Sequence, residues 1–83
     1  MGMANLRMKQ FGVLVLRSNP LFDFGPDVRA EVVALTELTA IQSVMRGAMM
    51  TEARAVYVQC EGQGCWFCGV MLVDGQVFYE YVA

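Results

Sequence analysis

The sequence predicts an α+β domain: an antiparallel sheet of four or five strands with one main helix packed on one face, a two-layer sandwich. Three observations lead there. Residues 54–82 break at Gly62-Gln63 and at Asp74-Gly75 into three strand-length apolar runs, a C-terminal three-stranded meander. Ala34, Leu38, Ile41, Met45, Ala48 and Met49 recur at helical steps along one stripe. Residues 10–17 form a short run rich in Val, Leu and Phe, ended by Ser18-Asn19-Pro20.

With 83 residues the chain has room for one domain, 1–83, and shows no internal repeat. The first strand, 10–17, is apolar at nearly every position and reads as buried on both faces. Residues 18–26 are a loop by virtue of Pro20, Gly25 and Pro26, and their Leu21, Phe22 and Phe24 point to a loop pinned to the core. Helix is expected over 27–50, with Asp27 capping its first turn. Residues 28–36 also alternate and could instead be a strand paired with the first, the helix then starting at a Thr39/Gln42 capping box. Strands follow at 54–61, 64–73 and 76–82, joined by a type II′ turn at Gly62-Gln63 and a type I′ turn at Asp74-Gly75.

Two-residue turns fix a register. Cys60 is expected opposite Cys65, Val58 opposite Phe67, Met71 opposite Phe78 and Phe67 opposite Val82. Strict alternation then gathers Tyr57, Trp66, Cys68, Val70, Leu72, Val77, Tyr79 and Tyr81 on the side away from Phe67. An antiparallel sheet that faces water on one side is apolar on the other alone, and this ribbon is apolar on both. One helix shields one side. The other is expected to meet a partner through Tyr57, Trp66, Val70, Leu72, Tyr79 and Tyr81, since Tyr and Trp combine a broad apolar body with a polar tip. The alternative is that the loop with Phe22 and Phe24, or residues 1–8, folds over that side.

Composition excludes several classes. Hydrophobic residues are 57% of the chain and charged residues 17%, which is the opposite of a disordered segment. The net charge is −2 and the six cations are scattered, so the basic stripe of a nucleic-acid binder is absent. The run from Phe11 to Leu16 is too short for a signal core or a membrane span, and a soluble cytoplasmic protein is expected.

The three cysteines come without a histidine. Cys65-Trp66-Phe67-Cys68 has C-x-x-C spacing but lies in a strand, where residues three apart face opposite sides. A redox helix or a zinc site needs a different geometry and more ligands, and no cofactor or metal is expected. Cys60, Cys65 and Cys68 remain a candidate thiol site, with buried free cysteine the simpler reading. Glu80 stands among apolar residues and is expected to find a cation such as Arg17 or Arg54, or water. The functional expectation is a non-enzymatic protein–protein interaction module, a homo-oligomer or one half of a hetero-complex. The alternatives are a carrier or cofactor-free enzyme with an apolar pocket between sheet and helix, or a thiol protein.

Overall fold

A computed structural model describes residues 7–17 and 27–83. The expected loop 18–26, with Phe22 and Phe24, and the first six residues lie outside this range. In chain order the elements are β1 (Lys9–Leu16), β2 (Val28–Ala34), α1 (Glu37–Gly47), β3 (Glu52–Cys60), β4 (Gln63–Val73), β5 (Gln76–Phe78) and β6 (Tyr81–Val82). The strands form one sheet in the order β2-β1-β3-β4-β5, with β6 also on β4, and every pairing is antiparallel. The fold is α+β, with one helix against the sheet among the described residues.

Residues 28–34 are strand, not helix. Their Val28, Ala30 and Val32 point inward while Arg29, Glu31 and Val33 are exposed, a period of two. Pairing with β1, from Val15 against Val28 to Lys9 against Ala34, overrides the helix-forming Ala, Arg and Glu content. Because β2 and β3 each run antiparallel to β1 between them, they run parallel to one another. Parallel strands require a crossover, and α1 supplies it. Asp27 therefore caps no helix; its carboxylate accepts the Arg17 amide at 3.3 Å and ties the end of β1 to the start of β2. The helix cap is Thr36, whose hydroxyl accepts the Thr39 amide at 3.2 Å.

The helix ends in a Schellman turn. Met49 donates to the Arg46 carbonyl at 3.1 Å and Met50 to the Met45 carbonyl at 2.9 Å, with Met49 at φ 58° in the left-handed region usually given to glycine. Ala40, Ile41, Val44 and Met45 face the sheet and are buried against Phe11, Val13, Val15, Val56, Val58 and Phe67. On β1 only this set of side chains is buried, and Leu14 and Leu16 between them are half-exposed, so the strand is covered on one face rather than two.

The first hairpin turn is Glu61-Gly62, one residue earlier than expected. Both lie at positive φ, 53° and 79°, as a type I′ turn requires. The β3–β4 register consequently shifts by two residues: Cys60 pairs with Gln63, Val58 with Cys65 and Val56 with Phe67. An even shift keeps every side chain on its face. Beyond Asp74-Gly75, Met71 does pair with Phe78 and Phe67 with Val82, although the final strand is divided at Tyr79 and Glu80.

A candidate interaction face on the open side of the sheet

Alternation fails at one place, and that place decides the site. The β3–β4 register pairs Ala53 with Val70 and Ala55 with Cys68 but skips Arg54 and Gly69 between them. Gly69 has φ 64°, a conformation L side chains rarely adopt. On β3, Ala53 and Val56 are both buried although three positions apart; on β4, Phe67 and Val70 are buried at the same spacing. The last strand follows suit. Tyr79 meets the Phe67 ring edge-on at 5.1 Å on the helix side, Tyr81 pairs with Cys68 on the open side, and Val82 pairs with Phe67. A crease thus crosses three strands and swaps the two faces.

The six expected interface residues divide accordingly. Tyr57, Trp66 and Tyr81 lie on the open side, as read from sequence. Val70 is buried in the core at 1% exposure, Leu72 packs against that core together with Val77, and Tyr79 leans on Phe67. In their place Met71 and Phe78, expected under the helix, are exposed on the open side at 49% and 53%. The signal that could have found this was Gly69 itself: an isolated glycine in a strand pattern marks a bulge or a close approach.

Among the described residues nothing covers the open side, and it is graded along the strands. One row of directly paired residues holds Arg29, Leu14, Tyr57 and Trp66, and the next holds Leu16, Ala55, Cys68 and Tyr81. The Tyr57 and Trp66 rings contact at 5.1 Å with planes 50° apart, and Tyr57 lies over Gly64, in the space a β-carbon there would fill. On the far side of these rows, Glu31, Gly12, Gln59 and Gly64 form a polar row. The missing side chain of Gly12 leaves an open depression of about 610 Å³ there, lined by Gln10, Arg29, Glu31, Tyr57 and Gln59. Glu31 accepts a hydrogen bond from Gln10.

At the crease the Glu80 side chain crosses Gly69 on the open side, not the side of Phe67, and lines a shallow hollow of about 480 Å³ with Arg54, Cys68 and Tyr81. The Tyr81 phenol is pushed above its usual range, first by its hydrogen bond with the Cys68 thiol and then by that group's charge, with smaller effects from burial and Glu80.

The three cysteines do not form one site: Cys60 and Cys65 share the helix side, diagonal across the hairpin, while Cys68 lies on the other. Cys60 faces Gln63 across the hairpin, and all three are free and half-buried. Burial, and then the Glu37 carboxylate, push the Cys65 thiol up, which disfavours the thiolate. A cleft of about 340 Å³ lies where the start of α1 meets the sheet, lined by Phe11, Leu35, Glu37, Val58, Cys60 and Cys65. Among the described residues no group of three or more Cys, Asp or Glu is arranged to hold a metal ion, and no helix is long and apolar enough to cross a membrane.

These features define a small α+β domain with one sheet face packed by a helix and the other an aromatic platform. No family model, curated protein or solved structure matches the chain.

Proposed function

We propose that the protein is a non-enzymatic interaction module that self-associates through the open side of its sheet. The reading takes the domain as a two-layer sandwich whose C-terminal meander presents its second face to another copy. The observation that carries it is the apolar surface opposite the helix layer, formed by Leu14, Tyr57, Trp66, Cys68 and Tyr81 and, beyond the Glu80 side chain, by Met71 and Phe78. Tyr81, Phe78 and Met71 are 59%, 53% and 49% exposed. With the half-buried members added, the patch amounts to about 500 Å², at the upper end for a monomer. Two copies face to face would bury about 1,000 Å², the lower bound for a specific interface. At about 25 cal/mol per Å² that burial is of the same order as the ~4–15 kcal/mol cost of association and the side-chain ordering that comes with it.

The test is sedimentation equilibrium of the wild type and of Trp66→Ala/Tyr81→Ala. The wild type is expected to self-associate at micromolar concentration, and the double variant to form a smaller assembly than the wild type while keeping its circular dichroism. Tyr79→Ala, on the helix side, is expected to leave assembly unchanged. A wild-type monomer at high micromolar concentration, or assembly indifferent to the double variant, overturns the reading.

A further inference from the structure

The two edges of the sheet differ in a way that has a consequence for assembly. One edge is blunted: β5 has three residues, β6 has two, and the strand is broken between them at Tyr79 and Glu80. Short, interrupted edge strands resist pairing with another chain. The opposite edge is β2, seven residues long, without proline or lysine and without an interruption in its pairing to β1. Among the described residues no strand pairs with its outer side.

The charges on β2 are self-complementary. Arg29 and Glu31 flank Ala30, and both are exposed on the open side of the sheet. Consider a second β2 laid antiparallel to the first about a two-fold axis through Ala30. Each Arg29 then stands opposite the other copy's Glu31, and each Val28 opposite the other copy's Val32 on the helix side. Registers centred on Arg29 or on Glu31 instead set like charges face to face. Opposite charges directly across a ladder are stabilising and like charges destabilising, so one register is selected. An axis normal to the sheet keeps both helices on one side and joins the two open faces into one.

From this we infer that β2 is a homodimerisation edge, pairing antiparallel with β2 of a second copy in the register centred on Ala30. The contact is distinct from the aromatic face and does not depend on it. Its main-chain hydrogen bonds supply affinity, and the reciprocal Arg29–Glu31 pairs supply register.

The experiment reads the edge with the face disabled, in the Trp66→Ala/Tyr81→Ala chain, by sedimentation equilibrium at low salt. That chain is expected to remain dimeric. Adding Arg29→Glu places like charges opposite each other at both symmetry-related positions and is expected to weaken the dimer about tenfold or more. Adding Glu31→Arg alone is expected to do the same. The double exchange Arg29→Glu with Glu31→Arg restores opposite charges at both positions and is expected to return the dimer to within about threefold of its starting strength. Recovery by the exchange excludes misfolding as the cause of the single losses. A monomer in the starting background, single reversals without effect, or an exchange as weak as either single change each overturn the inference.

Discussion

The Glu80 carboxylate lies over Gly69, in the space a β-carbon would occupy, and Gly69 is the residue at which the sheet exchanges its two faces. Two constraints meet at this glycine, and they are separable. The neighbouring carboxylate is the end of an exposed side chain that can swing away, whereas the positive φ belongs to the backbone. Gly69→Ala is therefore expected to destabilise the fold by about 1–2 kcal/mol. The cost is expected to persist in a Glu80→Ala background. Thermal or urea denaturation of the single and double variants checks this; full rescue by Glu80→Ala would assign the cost to the side chain instead.

Val70 and Trp66 test the face exchange directly. Plain alternation puts them on the same side, yet Val70 is 1% exposed in the core while Trp66 lies on the open side. Val70→Ala is expected to cost about 2 kcal/mol through lost burial and a residual cavity. Trp66→Ala in dilute, monomeric protein is expected to cost clearly less. Urea midpoints measured at low concentration, with unchanged m values, provide the comparison.

Met49 holds the left-handed position of the helix's terminal turn with its side chain 91% exposed. Replacing it removes almost no packing and relieves backbone strain. Met49→Gly is expected to stabilise the protein by about 0.5–1 kcal/mol, seen as a higher melting temperature. A loss of stability would mean that Met49 makes a contact on which the fold depends.

Cys65 links burial to pH. Its raised pKa means that the folded state holds the thiol proton more tightly than the unfolded chain does. The corresponding stability is fully present below the ordinary thiol pKa and is lost as pH rises through the folded value. Stability is thus expected to decline at alkaline pH, and less so in Cys65→Ser. Alkylation of Cys65, followed by mass spectrometry, is expected to lag behind a free thiol at pH 8. Glu37→Gln is expected to quicken it, since the Glu37 charge is the second cause of the shift.

Much of the architecture is legible from local signals. Asp74-Gly75 sets the second hairpin, with both residues at positive φ, and pairs Met71 with Phe78 as the turn length requires. The stripe through Ile41 and Met45 marks the helix, and those two side chains are sealed at its sheet contact together with Ala40. Glu61-Gly62 is harder to read, because a Glu at positive φ has no local advertisement. Choosing Gly62-Gln63 moves the register by two while leaving every face intact, so the error is invisible in the pattern.

By itself, the sequence determined that strands and a helix would form, where the second hairpin turns, and that the C-terminal strands carry apolar side chains on both sides. These follow from φ preferences and hydrophobic spacing, which act over a few residues. Only the tertiary structure decided that residues 28–34 pair with β1 rather than coil, and that the crease at Gly69 sends Val70 inward and Phe78 outward. Both depend on residues distant in the chain: hydrogen bonds to a neighbouring strand outweigh local helix propensity, and a bend shared by three strands reverses which side of each one meets the helix.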